Sequence, residues 1–214
     1  MSSFIFKIIA IISMLCDHIG ICISNNITYL RCIGRLSLPI FAWQLSIGAD
    51  KTKNIWKYLF RLFIFSIISQ PFYMLLKNDL LHSSTIQFNI GFTLFLGLIC
   101  IIALKKDIKL GITITIIIAF IAEKINIEYG WYGILMIVIF YIFKNNKVLL
   151  LIAQLVNFLA YYYIMPIWQQ GISLLSVIAI ILLYNEKKGI NAKYLFYVFY
   201  PLHMLILYLV FKLI

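Results

Sequence analysis

The stretch FIFKIIAIISMLCDHIGICI, residues 4–23, sets the prediction for the fold of the chain. Its length matches the roughly 20 apolar residues that an α-helix needs to cross a bilayer. In lipid, each backbone N–H and C=O group must be hydrogen-bonded within its own segment, which favours a helix. The stretch therefore predicts a membrane helix. It also contains Asp17 and His18, and such groups are costly in hydrocarbon unless they have partners.

The composition extends this prediction to all 214 residues. Hydrophobic residues make up 64% of the chain and charged residues 12%, whereas soluble domains contain about half and about a quarter. We predict an all-α, polytopic transmembrane helical bundle with about nine membrane helices, in a range of about eight to ten, formed by a single domain over residues 1–214. The nine apolar stretches are 4–23, 28–48, 56–76, 87–104, 108–122, 129–143, 148–165, 167–184 and 194–214.

The distribution of charge predicts the orientation in the membrane. The N-terminal sequence has no small-residue cleavage site, so we interpret the first stretch as a membrane helix and not as a signal peptide. If the N-terminus is cytoplasmic and the stretches alternate, most Lys and Arg residues fall on the inner side, as the positive-inside rule requires. The inner set is Lys7, Lys51, Lys53, Lys57, Arg61, Lys105, Lys106, Lys109, Lys144, Lys147, Lys187, Lys188 and Lys193, and the outer set is Lys77, Lys124 and Lys212.

This asymmetry explains the net charge of +11 without nucleic acid. We therefore predict a multi-pass protein of the bacterial cytoplasmic membrane, with lipid and not nucleic acid around it. Cys16, Cys22, Cys32 and Cys100 lie in apolar stretches without CxxC spacing, so we expect neither a disulfide framework nor a metal site. The sequence has no Gly-rich phosphate loop, GxSxG or HExxH motif.

Polar side chains deep in the apolar stretches are the candidates for a site. They are Asp17, His18, Arg31, Arg35, Gln70, Asn89, Gln154, Asn157 and His203. Neighbours on a helix point about 100° apart, so Asp17 and His18 should face different partners. We predict that Asp17 pairs with Arg31 or Arg35, which leaves His18 to act as a base near neutral pH. A structural Asp–Arg pair beside a hydrogen-bonded His explains the same pattern.

The other two histidines lie in different settings. His203 follows Pro201 by two residues, and a proline inside a helix frees a backbone carbonyl and kinks the helix. Such a kink can form a cavity beside a polar side chain, although a packed His is an equal alternative. His82 lies in the polar segment KNDLLHSST, residues 77–85, and we predict that it is solvated.

Six segments in order along the chain resemble the TraX family. They are KIIAIISMLCDHIG at 7–20, LRCIGRLSLPIFAWQLSIG at 30–48, YLFRLFIFSIISQPF at 58–72, NIGFTLFLG at 89–97, EYGWYGIL at 128–135 and FYVFYPLHMLILYL at 196–209. The resemblance implies an acetyl-CoA-dependent transferase, since the family's name member is associated with acetylation of a pilin N-terminus. The family is also similar to the wider transmembrane acyltransferases. The resemblance does not identify the acceptor, and the candidates are an amine or a hydroxyl of a peptide, pilin, glycan or small molecule.

The resemblance also implies roles for individual residues. His18 would be the catalytic base, Asp17 would orient an Arg or the imidazole, and His203 would be a second acid/base or a structural partner. Arg31 and Arg35 are candidates for the substrate or for the CoA phosphates. Further candidates for the phosphates are Lys51, Lys53, Lys57 and Arg61, which we predict on the cytoplasmic side, and candidates to stabilise an oxyanion are Gln70, Asn89 and Tyr200.

Two other functions are compatible with the sequence. A small-solute or proton-coupled transporter also uses Asp, His and Arg within the membrane, although the chain has no detectable internal repeat. A non-catalytic assembly factor would use the same polar groups only to hold helices together.

Overall fold

Ten α-helices, a π-helical turn and a 3₁₀ turn form most of the computed structural model, which describes residues 1–23, 28–80, 85–190 and 194–213. The helices are α1 Ser3–Ile23, α2 Thr28–Gly34, α3 Ser37–Lys51, α4 Ile55–Met74, α5 Ile90–Lys106, α6 Ile108–Lys124, α7 Gly130–Ile142, α8 Lys147–Ile164, α9 Ser173–Leu183 and α10 Leu195–Leu213. The π-helical turn is Leu75–Leu80, and the 3₁₀ turn is Trp168–Ile172. His82 and Lys193 lie outside the described residues.

The all-α prediction is confirmed, because the described part of the chain contains no strand beyond an isolated bridge of Phe88 with Ile127. The apolar stretches match the helices, except that the second stretch divides into α2 and α3. Pro39 lies in the first turn of α3, where a proline is tolerated because the N–H that it lacks has no partner within the helix. Ser37 begins α3, and its hydroxyl donates to the Gly34 carbonyl at 2.8 Å.

Four of the described helical segments are long and apolar enough to cross a membrane, by length and composition. They are Ser3–Ile23, Ile55–Lys77, Lys147–Ile164 and Leu195–Leu213, and two shorter apolar segments are Gly130–Ile142 and Trp168–Leu183. The membrane character predicted from the composition is therefore present in the structure. The number of helices that cross the bilayer stays a prediction.

The chain divides into two compact units. The first unit comprises Met1–Phe41, Pro71–Ile86 and Met165–Ile214, and the second comprises Ala42–Gln70 and Gln87–Ile164. In the first unit, α1 packs against α2 and α10, the π-helical turn packs against α10, and the 3₁₀ turn packs against α2. This arrangement brings together side chains that are far apart in the sequence.

The second unit is built on α5, α6 and α7, which pack against one another, while α8 packs on α7. Its apolar core includes Cys100, Leu104, Ala119, Ala122, Ile127, Ile134 and Val138. Asp107 is the single residue between α5 and α6. Its N–H donates to the Ala103 carbonyl at 3.0 Å, and its carboxylate accepts from the Leu110 N–H at 2.7 Å, so one residue caps both helices.

The two ends of the second unit show how its helices alternate. At one end, Asp50 accepts from Lys144 and lies 3.3 Å from the ammonium of Lys105, which joins the ends of α3, α5 and α7. At the other end, the Glu128 N–H donates to the Phe88 carbonyl at 2.8 Å, which joins the segments before α5 and α7. Lys105 and Lys144 therefore share one end of this unit, as the charge pattern predicts, and α6 runs opposite to α5 and α7.

Candidate functional site

The candidate site in the first unit is centred on His18 of α1 and His203 of α10. Nδ1 of His18 lies 2.9 Å from Nε2 of His203, and the rings are 5.0 Å apart between centroids. Both side chains are buried, with 7% and 4% of their surface exposed. Packing of α1 against α10 thus joins two imidazoles separated by 185 residues.

The hydrogen bonds determine which nitrogen carries a proton when both rings are neutral. Nδ1 of His203 lies 2.9 Å from the backbone carbonyl of Phe199, and a carbonyl can only accept, so this nitrogen is the donor. Nε2 of His203 must then accept from the Nδ1–H of His18. This assignment leaves a lone pair on Nε2 of His18, to which no described residue donates a hydrogen bond. His18 therefore has the tautomer of an oriented base.

Aromatic side chains hold His203 in place. The Phe199 ring stacks on it at 4.8 Å and 9°, and the Tyr200 ring meets it edge-on at 5.6 Å. Tyr200, an oxyanion candidate from the sequence, is thus next to His203 and is 1% exposed. Pro201 lies within α10, as predicted, but His203 bonds the carbonyl of Phe199, whereas the helical bond that Pro201 cannot make is to Tyr197.

Asp17 forms an ion pair with both arginines. Its Oδ1 lies 3.3 Å from Nε of Arg31 and 3.5 Å from Nη2 of Arg35. The predicted pairing of Asp17 across the α1–α2 turn is therefore confirmed, and it includes both candidates instead of one. We call Asp17, Arg31 and Arg35 the charged cluster.

Two residues that the sequence analysis missed support the charged cluster. Gln170 accepts from Nη1 of Arg35 at 3.5 Å and is 1% exposed, although the segment WQQ, residues 168–170, is also typical of a membrane boundary. Gly34 lets α2 approach α1, because a Cβ there would lie 2.2 Å from Cβ of Asp17. The available signals were an amide amid apolar residues and a glycine directly before Arg35.

Gln70 and Asn89 lie together in the second unit. Nδ2 of Asn89 donates to the Ser66 carbonyl at 2.9 Å and to Oε1 of Gln70 at 2.8 Å, and its Oδ1 accepts from the Gly91 N–H at 2.8 Å. Nε2 of Gln70 donates to the Gln87 carbonyl at 2.9 Å. Because both amide hydrogens of Asn89 are engaged locally, its evident role is to cap α5 and join it to α4.

Four of the candidates for the CoA phosphates belong to the second unit, whereas Arg31 and Arg35 belong to the first. The four are Lys51, Lys53, Lys57 and Arg61. Lys51 ends α3, and Lys57 and Arg61 lie one turn apart in the first part of α4, which Asn54 caps through the Lys57 N–H. Lys51, Lys53 and Lys57 are exposed. The Arg61 guanidinium lies 5.7 Å from the centre of the Tyr58 ring, and its buried Nε has no hydrogen-bond partner among the described residues.

Two further polar residues of the apolar stretches join helices of the second unit. Gln154 and Asn157 of α8 donate to the carbonyls of Met136 and Tyr132 in α7, at 3.1 and 3.3 Å. These bonds fit the use of buried amides between membrane helices. Within the described residues, no three His, Cys, Asp or Glu side chains are placed to hold a metal ion.

Comparison with known proteins places the chain in a family. The family model described as TraX protein matches residues 2–211. The chain is 30% identical over 229 aligned positions to the "Probable fimbrial assembly protein FimC, serogroup H1" of Dichelobacter nodosus, which covers 96% of this chain and 94% of that protein.

A second relative is an uncharacterized protein of Rickettsia prowazekii (strain Madrid E). It is 26% identical over 151 positions, which cover 67% of this chain and 56% of that protein. No solved structure gives a significant match. The family model extends over nearly all of the chain, including α1 with His18 and α10 with His203. The chain is therefore a membrane protein that belongs to the TraX family.

Proposed function

We propose that this protein is a membrane-embedded acetyltransferase, which moves an acetyl group from cytoplasmic acetyl-CoA to an acceptor amine. The observation that carries the proposal is the His18–His203 hydrogen bond, because it orients His18 with a lone pair on Nε2. The likeness to a protein named for fimbrial assembly supports a peptide or pilin N-terminus as the acceptor. An acceptor hydroxyl would use the same chemistry.

The proposed reaction needs one base. Nε2 of His18 accepts a proton from the acceptor amine as the amine nitrogen attacks the thioester carbonyl. The tetrahedral intermediate then collapses, the C–S bond breaks, and the CoA thiolate takes the proton from His18. The products are the acetylated amine and free CoA, and the base returns to its first state. His203 stabilises the imidazolium by accepting from Nδ1–H throughout. The residue that orients the base in a catalytic triad has the same role.

For the second unit, we propose a role in binding acetyl-CoA. Lys51, Lys53, Lys57 and Arg61 provide cations for its phosphates, and the unpartnered Nε of Arg61 is a further donor. The excess of Lys and Arg predicted on the inner side matches a cytoplasmic source of acetyl-CoA. We accordingly propose a multi-pass protein of the bacterial cytoplasmic membrane.

The test compares three forms of the protein, purified in detergent: wild type, His18→Ala and His82→Ala. Each is incubated with acetyl-CoA labelled in its acetyl group and a mixture of amine acceptors, and label transfer, CoA binding and thermal unfolding are measured. We expect His18→Ala to fold and bind CoA but to lose turnover by about 10²-fold or more, the usual contribution of a general base. His82→Ala, the matched histidine control, should retain full turnover. Folded wild type that does not bind CoA would contradict the proposal.

The alternative is a small-solute or proton-coupled transporter. The ion-paired Asp17, Arg31 and Arg35 favour it, because charged groups within membrane segments also build transport pathways. A transporter would show flux in vesicles that His18→Ala alters, with no acetylated product.

A further inference from the structure

The charged cluster is not electrically balanced. It contains two guanidinium groups and one carboxylate, which leaves a formal charge of about one positive unit. Among the side chains described in the first unit, the other carboxylate is that of Glu186, which is exposed in the segment after α9. A net charge within an apolar bundle is costly unless an opposite charge joins it. The cluster therefore has the charge of an anion-binding site.

The two arginines of the charged cluster differ in their exposure and in their contacts. Arg35 is 12% exposed and is held on both sides, by Asp17 and by Gln170. Arg31 is 33% exposed and contacts Asp17 through Nε. Its two Nη groups donate to no described residue. The end of a guanidinium presents two parallel N–H groups, which match the two oxygens of a carboxylate or phosphate.

We propose that the Nη edge of Arg31 binds an anionic group of the acceptor, a carboxylate close to the amine that is acetylated. This inference rests on the proposed transferase function. The cluster is next to the proposed base, because Asp17 and His18 are consecutive residues of α1. An acceptor carboxylate on Arg31 neutralises the cluster and holds the amine near His18. The acceptor class is thus a peptide or small amine with a carboxylate near its N-terminus.

The first test uses two acceptors that differ in one charge, the amides of the dipeptides Gly-Glu and Gly-Gln. For wild type, we expect the KM of the Gly-Glu amide to be at least about tenfold lower, as a charge-assisted pair provides. In Arg31→Gln, the KM values of the two dipeptide amides should become equal, with kcat changed little. The control Lys124→Gln removes an exposed cation of α6 and should leave the wild-type preference intact. Equal KM values in wild type would overturn the proposal.

A second arm separates an acceptor carboxylate from a CoA phosphate as the anion. The Kd for CoA should be the same in wild type and Arg31→Gln. A large loss of CoA affinity, with no change in the peptide preference, would overturn the proposal and assign the cluster to CoA. If Arg31→Gln does not fold, Arg31→Lys retains the charge without the fork and should keep a weaker preference for the Gly-Glu amide.

A third arm works without turnover, so that failure of the transferase function is recognised separately. Thermal unfolding is measured with each dipeptide amide in the absence of acetyl-CoA. Ligand binding to the folded state raises Tm, so the Gly-Glu amide should raise the Tm of wild type but not that of Arg31→Gln. Label transfer that fails while this shift is present would reject the transferase and retain the anion site. No shift in either form would reject the anion site.

Discussion

His203 offers its two ring nitrogens to different partners, and this defines its expected contribution. Replacement by Leu removes the acceptor for Nδ1–H of His18, whereas Gln retains an acceptor oxygen near the position of Nε2. We expect His203→Leu to lower kcat by about 10- to 100-fold, part of the contribution of a general base, with the KM for acetyl-CoA unchanged. His203→Gln should retain more of the activity. Steady-state kinetics on the two purified variants checks this.

Two comparisons identify the reason for any loss. Thermal unfolding of both variants shows whether the loss of kcat reflects stability instead of positioning. Equal activity of the Leu and Gln variants would contradict a role for the acceptor at this position, because only Gln can supply one.

For single residues, the sequence predicts an ion pair where charged residues are few and lie close together in the chain. The sequence predicts that Asp17 pairs with Arg31 or Arg35, because few charges lie in the apolar stretches and a short turn separates Asp17 from the two arginines. The partner of His18 could not be predicted in this way, because it lies 185 residues away and either ring can donate or accept. Gln170 was missed because an amide after a tryptophan also fits a membrane boundary.

Among the helices, the contact of α1 with α2 depends on Gly34. An added Cβ would lie 2.2 to 2.7 Å from Cβ, Cγ and Oδ1 of Asp17, so either the helices separate or the carboxylate turns away from the arginines. We expect Gly34→Ala to lower the free energy of unfolding by about 1–3 kcal/mol, as overpacking does, and to reduce turnover. Thermal unfolding in detergent and label transfer measure the two effects.

Gly48→Ala is the matched control for a helical glycine. Its Cβ would lie 3.2 Å from the hydroxyl of Tyr58, at the far end of a side chain that can move. The helix propensity of Ala offsets this contact, so we expect little change in Tm. If both alanine variants lower Tm equally, the close approach of Asp17 is not the reason for the effect at Gly34.

The sequence predicts the positions of the helices well, since nearly every apolar stretch corresponds to one helix or to a helix with a short turn. The exception is the break between α2 and α3, where Pro39 lies in the first turn of α3. Apolar residues continue on both sides of Arg35, so the pattern alone indicates one helix. The break also places Arg35 in the turn directly after α2, where it reaches Asp17 and Gln170.

For the whole molecule, the orientation in the membrane can be tested at two exposed lysines of the second unit, Lys124 and Lys147. Lys124 ends α6 and Lys147 begins α8, so α7 lies between the two lysines in the sequence. We expect Lys124→Cys to react with a membrane-impermeant maleimide in intact cells, and Lys147→Cys to react only after lysis. The positive-inside asymmetry is the physical reason.

The wild-type chain serves as the labelling control, because its four free cysteines determine the background reaction with the maleimide. The reverse pattern would place the N-terminus outside, and labelling of both variants in intact cells would show that the segment between them does not cross as predicted. The charge count predicts this orientation because Lys and Arg are grouped. It could not predict the division into two units, which depends on contacts between distant segments.

Asp107 caps two helices at once, and this has a consequence for the length of the chain. A residue added or removed there would turn α6 by about 100° and shift it by about 1.5 Å. Gly111, whose added Cβ would lie 2.5 Å from Cα of Leu104, would then face away from α5. We therefore expect insertions and deletions among family members to fall at other connections, while the spacing from Leu104 to Gly111 is kept through evolution.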